Sequence, residues 1–294
     1  MKKQLLVFAV AALAVGTASA QANDTLAKIA SSGTVVLGTR DSSAPLAYTL
    51  GGGKYAGYHV ELCERVLKAI VPQAKIEYTV VTSQNRIPLV QNGTVDIECG
   101  STTNNETRQK DVSFAYTTYV TEVRTAVKAN SGITSISQLG GKTIATTTGT
   151  TSVQTLRKNE RGQGLQFKEI YGKDHSDSFL MLESGRADAF VMDDNILAGL
   201  IANSKNPKDF KIVGEVLSVE PIAIMFRKDD PKFKKAVDDA LVAMMKSGEV
   251  AKIYEKWFMS PIPPKNVNVN LPMGDTLKGL LAAPNDKPME AYRK

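Results

Sequence analysis

The sequence contains few of the residues that build metal sites, redox centres and catalytic triads. Its 294 residues include two cysteines, two histidines and one tryptophan. The cysteines form no CxxC pair, and no cluster has the spacing of metal ligands. No phosphate-binding or dinucleotide-binding glycine loop follows a strand, and GxSxG and HExxH motifs are missing. We therefore expect no metal, no cofactor and no hydrolytic triad.

Apolar runs long enough to span a bilayer are also missing. The run 5–15 is too short, follows two lysines, and precedes the small residues 18–20. This order is typical of a cleavable signal peptide. We expect cleavage after Ala20 and a mature chain in the periplasm that is not inserted in a membrane; the alternative is a buried N-terminal helix.

The charge balance is too weak to indicate a nucleic-acid partner. Removing the two leader lysines takes Lys+Arg from 36 to 34 against 30 Asp+Glu, so the formal net charge falls from +6 to +4. Nucleic-acid-binding domains are usually more basic and carry their charge in patches. We expect no nucleic-acid partner.

The two cysteines fit an exported protein. Cys63 shares a helical stripe with Val66, Leu67 and Ile70, and therefore faces the core. Cys99 ends a strand that should pack beneath that helix. An oxidising compartment favours one disulfide between them; two inert buried thiols are the alternative.

Strands and helices alternate in two blocks, which predicts an α/β fold with helices on both faces of parallel sheets. The roughly 274 residues left after removal of a 20-residue leader are enough for two lobes. The first block has strands at 34–39, 76–81 and 95–99 and helices at 57–71 and 85–92. The second has strands at 142–146, 167–171 and 187–192 and helices at 151–159, 177–184 and 195–203.

Two extended segments, 119–129 and 219–227, connect the blocks and predict a pair of crossing hinge strands. A helix over 231–247 follows without a sheet of its own. The chain from 261 onward begins with prolines, which predicts a non-helical tail on the surface. The predicted division is a signal peptide at 1–20, the first part of lobe 1 at 21–122, an inserted lobe 2 at 123–218, and the return to lobe 1 at 219–294.

Unusual polar residues fall at the carboxyl ends of the predicted strands, where open parallel sheets bind ligands. Arginines and hydroxyls gathered there form a receptor for carboxylates. The segment TGTT (148–151) also opens a helix, where backbone N–H groups favour an anion. The residues singled out are Arg40, Ser83, Arg86, Ser101, Thr103, Arg108, Thr151, His175 and Asp193.

Several of these residues have simpler interpretations. Asp193 has the alternative of serving only as a helix N-cap, and His175 that of a surface loop residue. His59 has no partner pattern and is predicted to be structural. Trp257 is predicted to anchor the last helix in the core rather than to stack on a ligand.

The sequence resembles the periplasmic solute-binding proteins of ABC-type amino-acid importers (family 3), most closely those that bind glutamate and aspartate. The resemblance covers essentially the whole mature chain. It is carried by TLAKIASSGTVVLGTRDSS (25–43), SQNRIPLVQNGT (83–94), ECGSTTNN (98–105), SGRADAFVMDD (184–194) and SPIPPKN (260–266). It implies a two-lobed type II periplasmic-binding-protein fold, with two hinge strands and a cleft between the lobes.

The resemblance also implies a role for each site residue. Arg108, Ser101, Thr103 and Thr151 should hold the α-carboxylate of an amino acid, and Asp193 its ammonium. Arg40, Ser83, Arg86 and His175 should hold the side-chain carboxylate. The expected partners are L-glutamate or L-aspartate and an inner-membrane ABC permease, and the expected state is a monomer.

A charge count supports an acidic ligand independently of the resemblance. One arginine and one aspartate suffice for a zwitterion. Two further arginines and a histidine in a desolvated cleft are costly unless the ligand brings another negative charge. A second carboxylate supplies that charge.

Two other functions remain open from the sequence alone. An enzyme similar to the cyclohexadienyl dehydratases, which share this fold, would use a cleft carboxylic acid as a general acid. A ligand-loaded partner for a sensor or chemoreceptor is the other. The spacing marks out none of the candidate acids, which are Glu98, Glu122, Asp174 and Asp177, so we favour a binding protein over an enzyme.

Overall fold

The computed structural model describes residues 24–292, and the predicted signal peptide and its cleavage site lie outside this range. The described chain folds into two five-stranded sheets, a small three-stranded sheet and flanking helices. No helix in this range is long and apolar enough to cross a membrane. The helices are α1 (Thr25–Ser32), α2 (Tyr58–Ile70), α3 (Arg86–Gln91), α4 (Thr151–Gly162), α5 (His175–Glu183), α6 (Asp194–Asn203), α7 (Pro231–Lys246), α8 (Glu249–Phe258) and α9 (Asp275–Ala282). The strands are β1 (Thr34–Thr39), β2 (Ser42–Ser43), β3 (Ala47–Gly51), β4 (Lys54–Ala56), β5 (Lys75–Val80), β6 (Ile97–Glu98), β7 (Val112–Phe114), β8 (Tyr119–Lys128), β9 (Thr143–Thr147), β10 (Lys168–Gly172), β11 (Ala189–Asp193), β12 (Phe210–Ile222) and β13 (Met225–Arg227).

The first sheet has the strand order β5-β1-β6-β13-β7 and forms the first lobe. β5, β1 and β6 are parallel, whereas β13 is antiparallel to both β6 and β7. Val35 and Leu37 of β1 are fully buried and pack in the same core as the apolar stripe of α2. This packing brings the carboxyl ends of β1 and β6 to the same edge of the sheet.

The second sheet has the order β10-β9-β11-β8-β12 and repeats this plan. β10, β9 and β11 are parallel, and β8 and β12 complete the sheet in antiparallel register. Ile144 and Val191 pack in an apolar core on one side, and Phe190 and Leu197 pack in a second core on the other. Apolar cores on both faces explain why β11 is buried along its whole length. The predicted α/β class with two sheet-based lobes is confirmed.

β8 and β12 pair along most of their length, with Tyr119 opposite Ile222 and Thr121 opposite Glu220. β8 begins where the sequence predicts it. The extended segment predicted over 219–227 is interrupted: it contains the end of β12, a break, and the separate strand β13 in the first sheet.

Cys63 and Cys99 form a disulfide, as the oxidising compartment favoured. The bond joins the buried face of α2 to the residue after β6. The strand predicted at 95–99 is shorter than expected, since only Ile97 and Glu98 pair as a strand. The bond therefore secures a segment that makes few strand contacts of its own.

The prediction of a wholly non-helical C-terminal region is wrong. The prolines at 261–264 end the helical run of α8, but the proline-free segment of α9 places Leu277 and Leu280 against the protein and forms a helix. Trp257 is buried on α8 and donates a hydrogen bond from Nε1 to Glu61, which confirms its structural role.

His59 is also structural, because its two ring nitrogens bond the Gly100 carbonyl and the Thr118 hydroxyl. Complete burial lowers the pKa of His59 to about 4.

Candidate ligand-binding site

The carboxyl ends of strands from both sheets meet around a narrow cavity between the lobes. Seven of the nine residues singled out from the sequence line it: Ser83, Arg86, Ser101, Thr103, Thr151, His175 and Asp193.

Arg40 lies directly after β1 and is fully buried; it and Arg108 are the two singled-out residues that do not line the cavity themselves. Its guanidinium donates to the hydroxyls of Ser83 and Ser101, both at 3.0 Å. It also forms an ion pair at 2.9 Å with Asp174, which lies across the cleft after β10. Asp174 accepts a second bond from Ser42 at 2.6 Å. Arg40 thus connects the two lobes through a carboxylate.

Arg86, the first residue of α3, is 2% exposed and forms no ion pair among the described residues. Its Nη1 donates to the Ser101 carbonyl at 3.0 Å, while Nε is buried without a partner. Burial, and then the nearby Arg108 and Arg40 guanidiniums, hold the pKa of Arg86 well below its usual range. A buried cation without a carboxylate is costly, so an anion in the cavity would stabilise it.

His175 is the first residue of α5 and is 1% exposed, so the alternative of a surface loop residue is wrong. The helix begins two residues earlier than predicted. Nδ1 lies 3.0 Å from the Thr147 hydroxyl and Nε2 lies 3.3 Å from Arg40. Burial and the charge of Arg40 lower the pKa of His175 to about 3, which makes the imidazole neutral at pH 7.

Arg108 lies in a short 3₁₀ turn on the other side of the cavity. It donates to the Thr103 carbonyl at 2.9 Å and to the Gly149 carbonyl of the second lobe at 3.3 Å. Gly149 has a φ of +81°, and an added Cβ would lie 2.8 Å from the backbone of Gln84. Only glycine permits the second lobe to approach this closely.

Asp193 ends β11 at the N-cap position of α6, but its side chain makes no capping hydrogen bond. The alternative that it serves only as a cap therefore lacks support. The carboxyl group is 4% exposed and lines the cavity. Burial, followed by the neighbouring carboxylates of Glu220 and Asp194, raises the pKa of Asp193 well above its usual range. An ammonium group in the cavity would relieve this cost.

Glu220 of β12, which the sequence interpretation missed, is fully buried and bonds two residues that line the cavity. Its Oε2 accepts from the Thr103 hydroxyl at 2.6 Å and from the Thr151 hydroxyl at 2.7 Å. The sequence signal was weak, because Glu220 sits between apolar residues in what reads as a connecting strand. A carboxylate in a crossing strand beside a predicted cleft is the one clue that could have found it.

The four candidate general acids are not gathered at the cavity. Within residues 24–292 none of them lines it: Asp174 is paired with Arg40, Glu98 is fully buried and accepts from Thr102, and Glu122 is paired with Arg124. Asp177 is exposed on α5. No group of three His, Cys, Asp or Glu side chains in the described chain is arranged to hold a metal ion.

A wider depression with an empty volume of about 950 Å³ lies beside the cavity and is open to solvent. Arg108 and Thr151 line it on the cleft side, and the surface residues Arg157 and Tyr171 line it on the outside. The charged groups without internal partners face the narrow cavity, so we take the narrow cavity, not the larger depression, as the candidate site.

The family model of bacterial extracellular solute-binding proteins, family 3, matches residues 35–260. The L-glutamate/L-aspartate-binding protein of Pseudomonas aeruginosa is 48% identical over 273 residues, covering 90% of both chains. The glutamate/aspartate import solute-binding protein of Escherichia coli is 44% identical over 293 residues, covering 96% of this chain and 97% of the relative.

Solved structures agree on the fold. A mutant of the arginine-binding protein of T. maritima superposes with a TM-score of 0.72 at 27% identity, covering 80% of this chain and 99% of that one. An ancestral amino acid-binding protein described as a precursor of cyclohexadienyl dehydratase gives 0.70 at 28% identity, covering 80% and 99%. A fold of this kind therefore belongs to binding proteins and is also related to an enzyme.

Proposed function

Because the chain belongs to the bacterial extracellular solute-binding proteins of family 3, we propose that it binds L-glutamate or L-aspartate in the cleft and delivers it to an ABC-type permease. The 48% identical protein of Pseudomonas aeruginosa is named as an L-glutamate/L-aspartate-binding protein, and the 44% identical protein of Escherichia coli as a solute-binding protein of glutamate/aspartate import. The periplasm is the compartment that such a role requires, which fits the predicted signal peptide.

The observation that carries the acidic ligand is the buried guanidinium of Arg86. Arg40 already has a carboxylate partner in Asp174, and Arg108 lies in the field of Asp193 and Glu220. Arg86 has no ion pair in the part of the chain that the structure describes, and the fields of the Glu98 and Asp193 carboxyl groups do not offset the effect of its burial. A ligand carboxylate would supply the missing charge, with a geometry that guanidinium binds bidentately.

The nine residues singled out from the sequence take the roles that the resemblance implied. Arg108, with Ser101, Thr103 and Thr151, holds the α-carboxylate, and Asp193 holds the ammonium. The side-chain carboxylate binds between Arg40, Ser83, Arg86 and His175. The burial of Arg86 and Asp193, and the shifted pKa values that result from it, support one subsite that binds an anionic group and one that binds a cationic group.

Closure of the two lobes accompanies binding. The boundaries at 122/123 and 218/219 fall within β8 and β12, whose pairing makes them a suitable hinge. Each lobe contributes part of the site, so a ligand gains contacts only when the lobes meet. The mature protein acts as a monomer, and the ligand-loaded closed form is what the permease recognises.

An enzyme of this fold is the alternative, because a solved structure related to cyclohexadienyl dehydratase is similar. A dehydratase needs a carboxylic acid free to donate a proton in the cleft. Asp174 is held by Arg40 and Ser42, which disfavours that role. Incubation with prephenate should give no product, and product formation would overturn the binding assignment.

Calorimetry on the mature protein purified without refolding tests the proposed ligand. L-glutamate or L-aspartate should bind with one site per chain, and arginine and leucine should not bind. Small-angle scattering should show a smaller radius of gyration at saturation. Binding of neutral or basic amino acids with similar affinity would contradict the proposal.

A further inference from the structure

Glu220 is a buried carboxylate whose hydrogen bonds all come from hydroxyl groups. It is 0% exposed. Its Oε1 accepts from the Ser218 hydroxyl at 2.8 Å, and its Oε2 accepts from Thr103 and Thr151 at 2.6 and 2.7 Å. It forms no ion pair among the described residues. Burying a carboxylate without a cationic partner is costly, so a carboxylate bonded only by hydroxyls calls for an explanation.

These hydrogen bonds fix the direction in which the hydroxyls of Thr103 and Thr151 donate their protons. A hydroxyl has one proton to donate and two lone pairs with which to accept. An ionised carboxylate only accepts, so both threonines give their protons to Glu220. Toward the cavity, which both of them line, each hydroxyl then presents lone pairs alone.

Lone pairs facing the cavity select for a donor on the ligand. A carboxylate oxygen cannot hydrogen-bond to a hydroxyl whose proton is already used, whereas an ammonium group has three N–H donors. The Asp193 carboxyl group lines the same cavity and makes no capping bond. The hydroxyl oxygens of Thr103 and Thr151 lie 3.4 Å apart, so they and the Asp193 carboxyl group offer three acceptor groups to the same cavity.

We propose that Glu220 is a positioning residue for the ammonium group of the ligand, acting by orienting the hydroxyls of Thr103 and Thr151. This rests on the proposed function, because it assigns the amino group of an amino acid to these hydroxyls. It restricts the α-carboxylate role of Thr103 and Thr151 to their backbone and gives their hydroxyls the ammonium instead. The backbone and the Arg108 guanidinium are left to meet the carboxylate.

The same oxygen also joins the two lobes. Thr103 follows the first sheet and forms a bridge with Ile222, whereas Thr151 opens α4 on the second sheet. Glu220 lies on the crossing strand between them. The acceptor set for the ammonium is therefore complete only when both lobes hold their hydroxyls against this one carboxylate.

The test compares L-glutamate with glutarate, which has the same two carboxylates and no ammonium. In Glu220→Met the preference for L-glutamate over glutarate, measured by calorimetry with competition, should fall by about tenfold or more, the scale of hydrogen bonds to charged groups. Ser218→Ala is the matched control, because it removes the donor to Oε1 and leaves both threonine bonds; its preference should equal that of the wild type.

Glu220→Gln separates positioning from packing. The glutamine keeps one acceptor oxygen, so this variant should retain more of the preference for L-glutamate over glutarate than Glu220→Met does. This should hold even if Glu220→Gln is no more stable to urea than Glu220→Met. If both ligands lose affinity by the same factor in Glu220→Met, Glu220 shapes the cleft without orienting the hydroxyls and the inference is overturned.

A measurement without ligand distinguishes this inference from the function itself. Hydroxyl protons of Thr103 and Thr151 bonded to a carboxylate should exchange slowly and be visible by NMR in the wild type and Ser218→Ala, but not in Glu220→Met. Their absence in the wild type would overturn the orientation of the hydroxyls. If the wild type shows these hydroxyl protons but binds neither L-glutamate nor L-aspartate, the proposed function is overturned. The ammonium assignment then falls with it, whereas the orientation of the two hydroxyls by Glu220 stands.

Discussion

The two ends of the cavity differ in the sign of the charge that they bring together. We call them the hinge end and the far end. The hinge end comprises the cavity residues Thr103, Thr151 and Asp193, together with Glu220, which accepts from both threonines, and Arg108. The far end comprises the cavity residues Ser83, Arg86 and His175, together with Arg40, which donates to Ser83, and its ion-pair partner Asp174.

At the hinge end Arg108 lies in the field of Glu220 and Asp193. At the far end Arg40 forms an ion pair with Asp174, whereas Arg86 lies in the field of Glu98 and Asp193 but forms no ion pair among the described residues. The hinge end therefore offers partners for both charges of a zwitterion, which every amino acid has. The far end therefore has one guanidinium, that of Arg86, without an ion-pair partner, and the neutral imidazole of His175 adds no charge. General affinity for amino acids and selection of an acidic side chain thus reside in different groups.

The largest loss of ligand binding is expected from a substitution at the hinge end. Arg108→Ala removes the one guanidinium that meets the α-carboxylate, and takes from Asp193 and Glu220 a cation that lies near both of them. Binding of glutamate, aspartate and glutamine should all become undetectable by calorimetry. A variant that still binds glutamate while losing glutamine would place Arg108 at the side chain instead.

The next largest loss of affinity is expected from a substitution at the far end. Arg86→Ala should cost glutamate about 3 kcal/mol or more of binding free energy, the scale for breaking a desolvated charge pair. It should cost glutamine much less, because a neutral amide does not need the charge. Calorimetry with both ligands on both arginine variants gives the comparison; equal losses for glutamate and glutamine would make Arg86 a structural residue.

Most of the far end could be predicted from the sequence, but its charge balance could not. Arg40, Ser83 and Arg86 follow strands whose order along the chain can be read from alternation, so their common edge was predictable. Asp174 comes from the other lobe, and its pairing with Arg40 depends on how closely the lobes approach. No local pattern encodes that distance.

The hinge end shows a second limit. Thr103, Thr151 and Asp193 were found by their position after strands and before helices. Glu220 was missed because it lies inside β12 among apolar neighbours, where alternation gives no sign of a site. The C-terminal α9 was missed for a related reason, because the prolines at 261–264 restrict only the backbone near them and do not prevent a helix ten residues later.

A pH series sharpens the description of the far end. Burial lowers the pKa of His175 to about 3 and that of His59 to about 4, against about 6.5 in an unfolded chain. Between these values the unfolded state binds more protons, so the free energy of unfolding should fall as the pH falls below 6.5. Each histidine should contribute about 1 kcal/mol to this fall between pH 6 and 5.

The two histidines serve as controls for each other. The free energy of unfolding, measured by urea denaturation at pH 7, 6 and 5, should decline less in His175→Gln and in His59→Gln than in the wild type. Each variant should lack the contribution of its own histidine to the decline. Taking the difference between variant and wild type cancels the carboxyl groups, including Asp193, whose raised pKa acts with the opposite sign. Saturating glutamate should reduce the His175 share only, because a carboxylate beside that imidazole favours its protonated form. An equal reduction at His59 would show that the ligand acts through overall stability.

The smallest effect concerns the one carboxylate of the far end. Asp174→Asn removes the partner of Arg40 and adds one positive charge beside the expected side-chain carboxylate. It also weakens a contact between the lobes, since Asp174 binds both Arg40 and Ser42 of the other lobe. Weaker closure lowers the affinity for every ligand alike, so absolute affinities cannot separate the two effects.

The ratio of glutamate to glutamine affinity does separate them, because closure cancels in the ratio and the added charge does not. We expect this ratio to rise by a few-fold in Asp174→Asn, the scale of a partly solvent-screened charge interaction. The increase should shrink at high salt. Ser42→Ala, which weakens the same contact without changing the charge, should leave the ratio unchanged. A constant ratio in Asp174→Asn would mean that the far end selects its ligand by hydrogen-bond geometry rather than by excess positive charge.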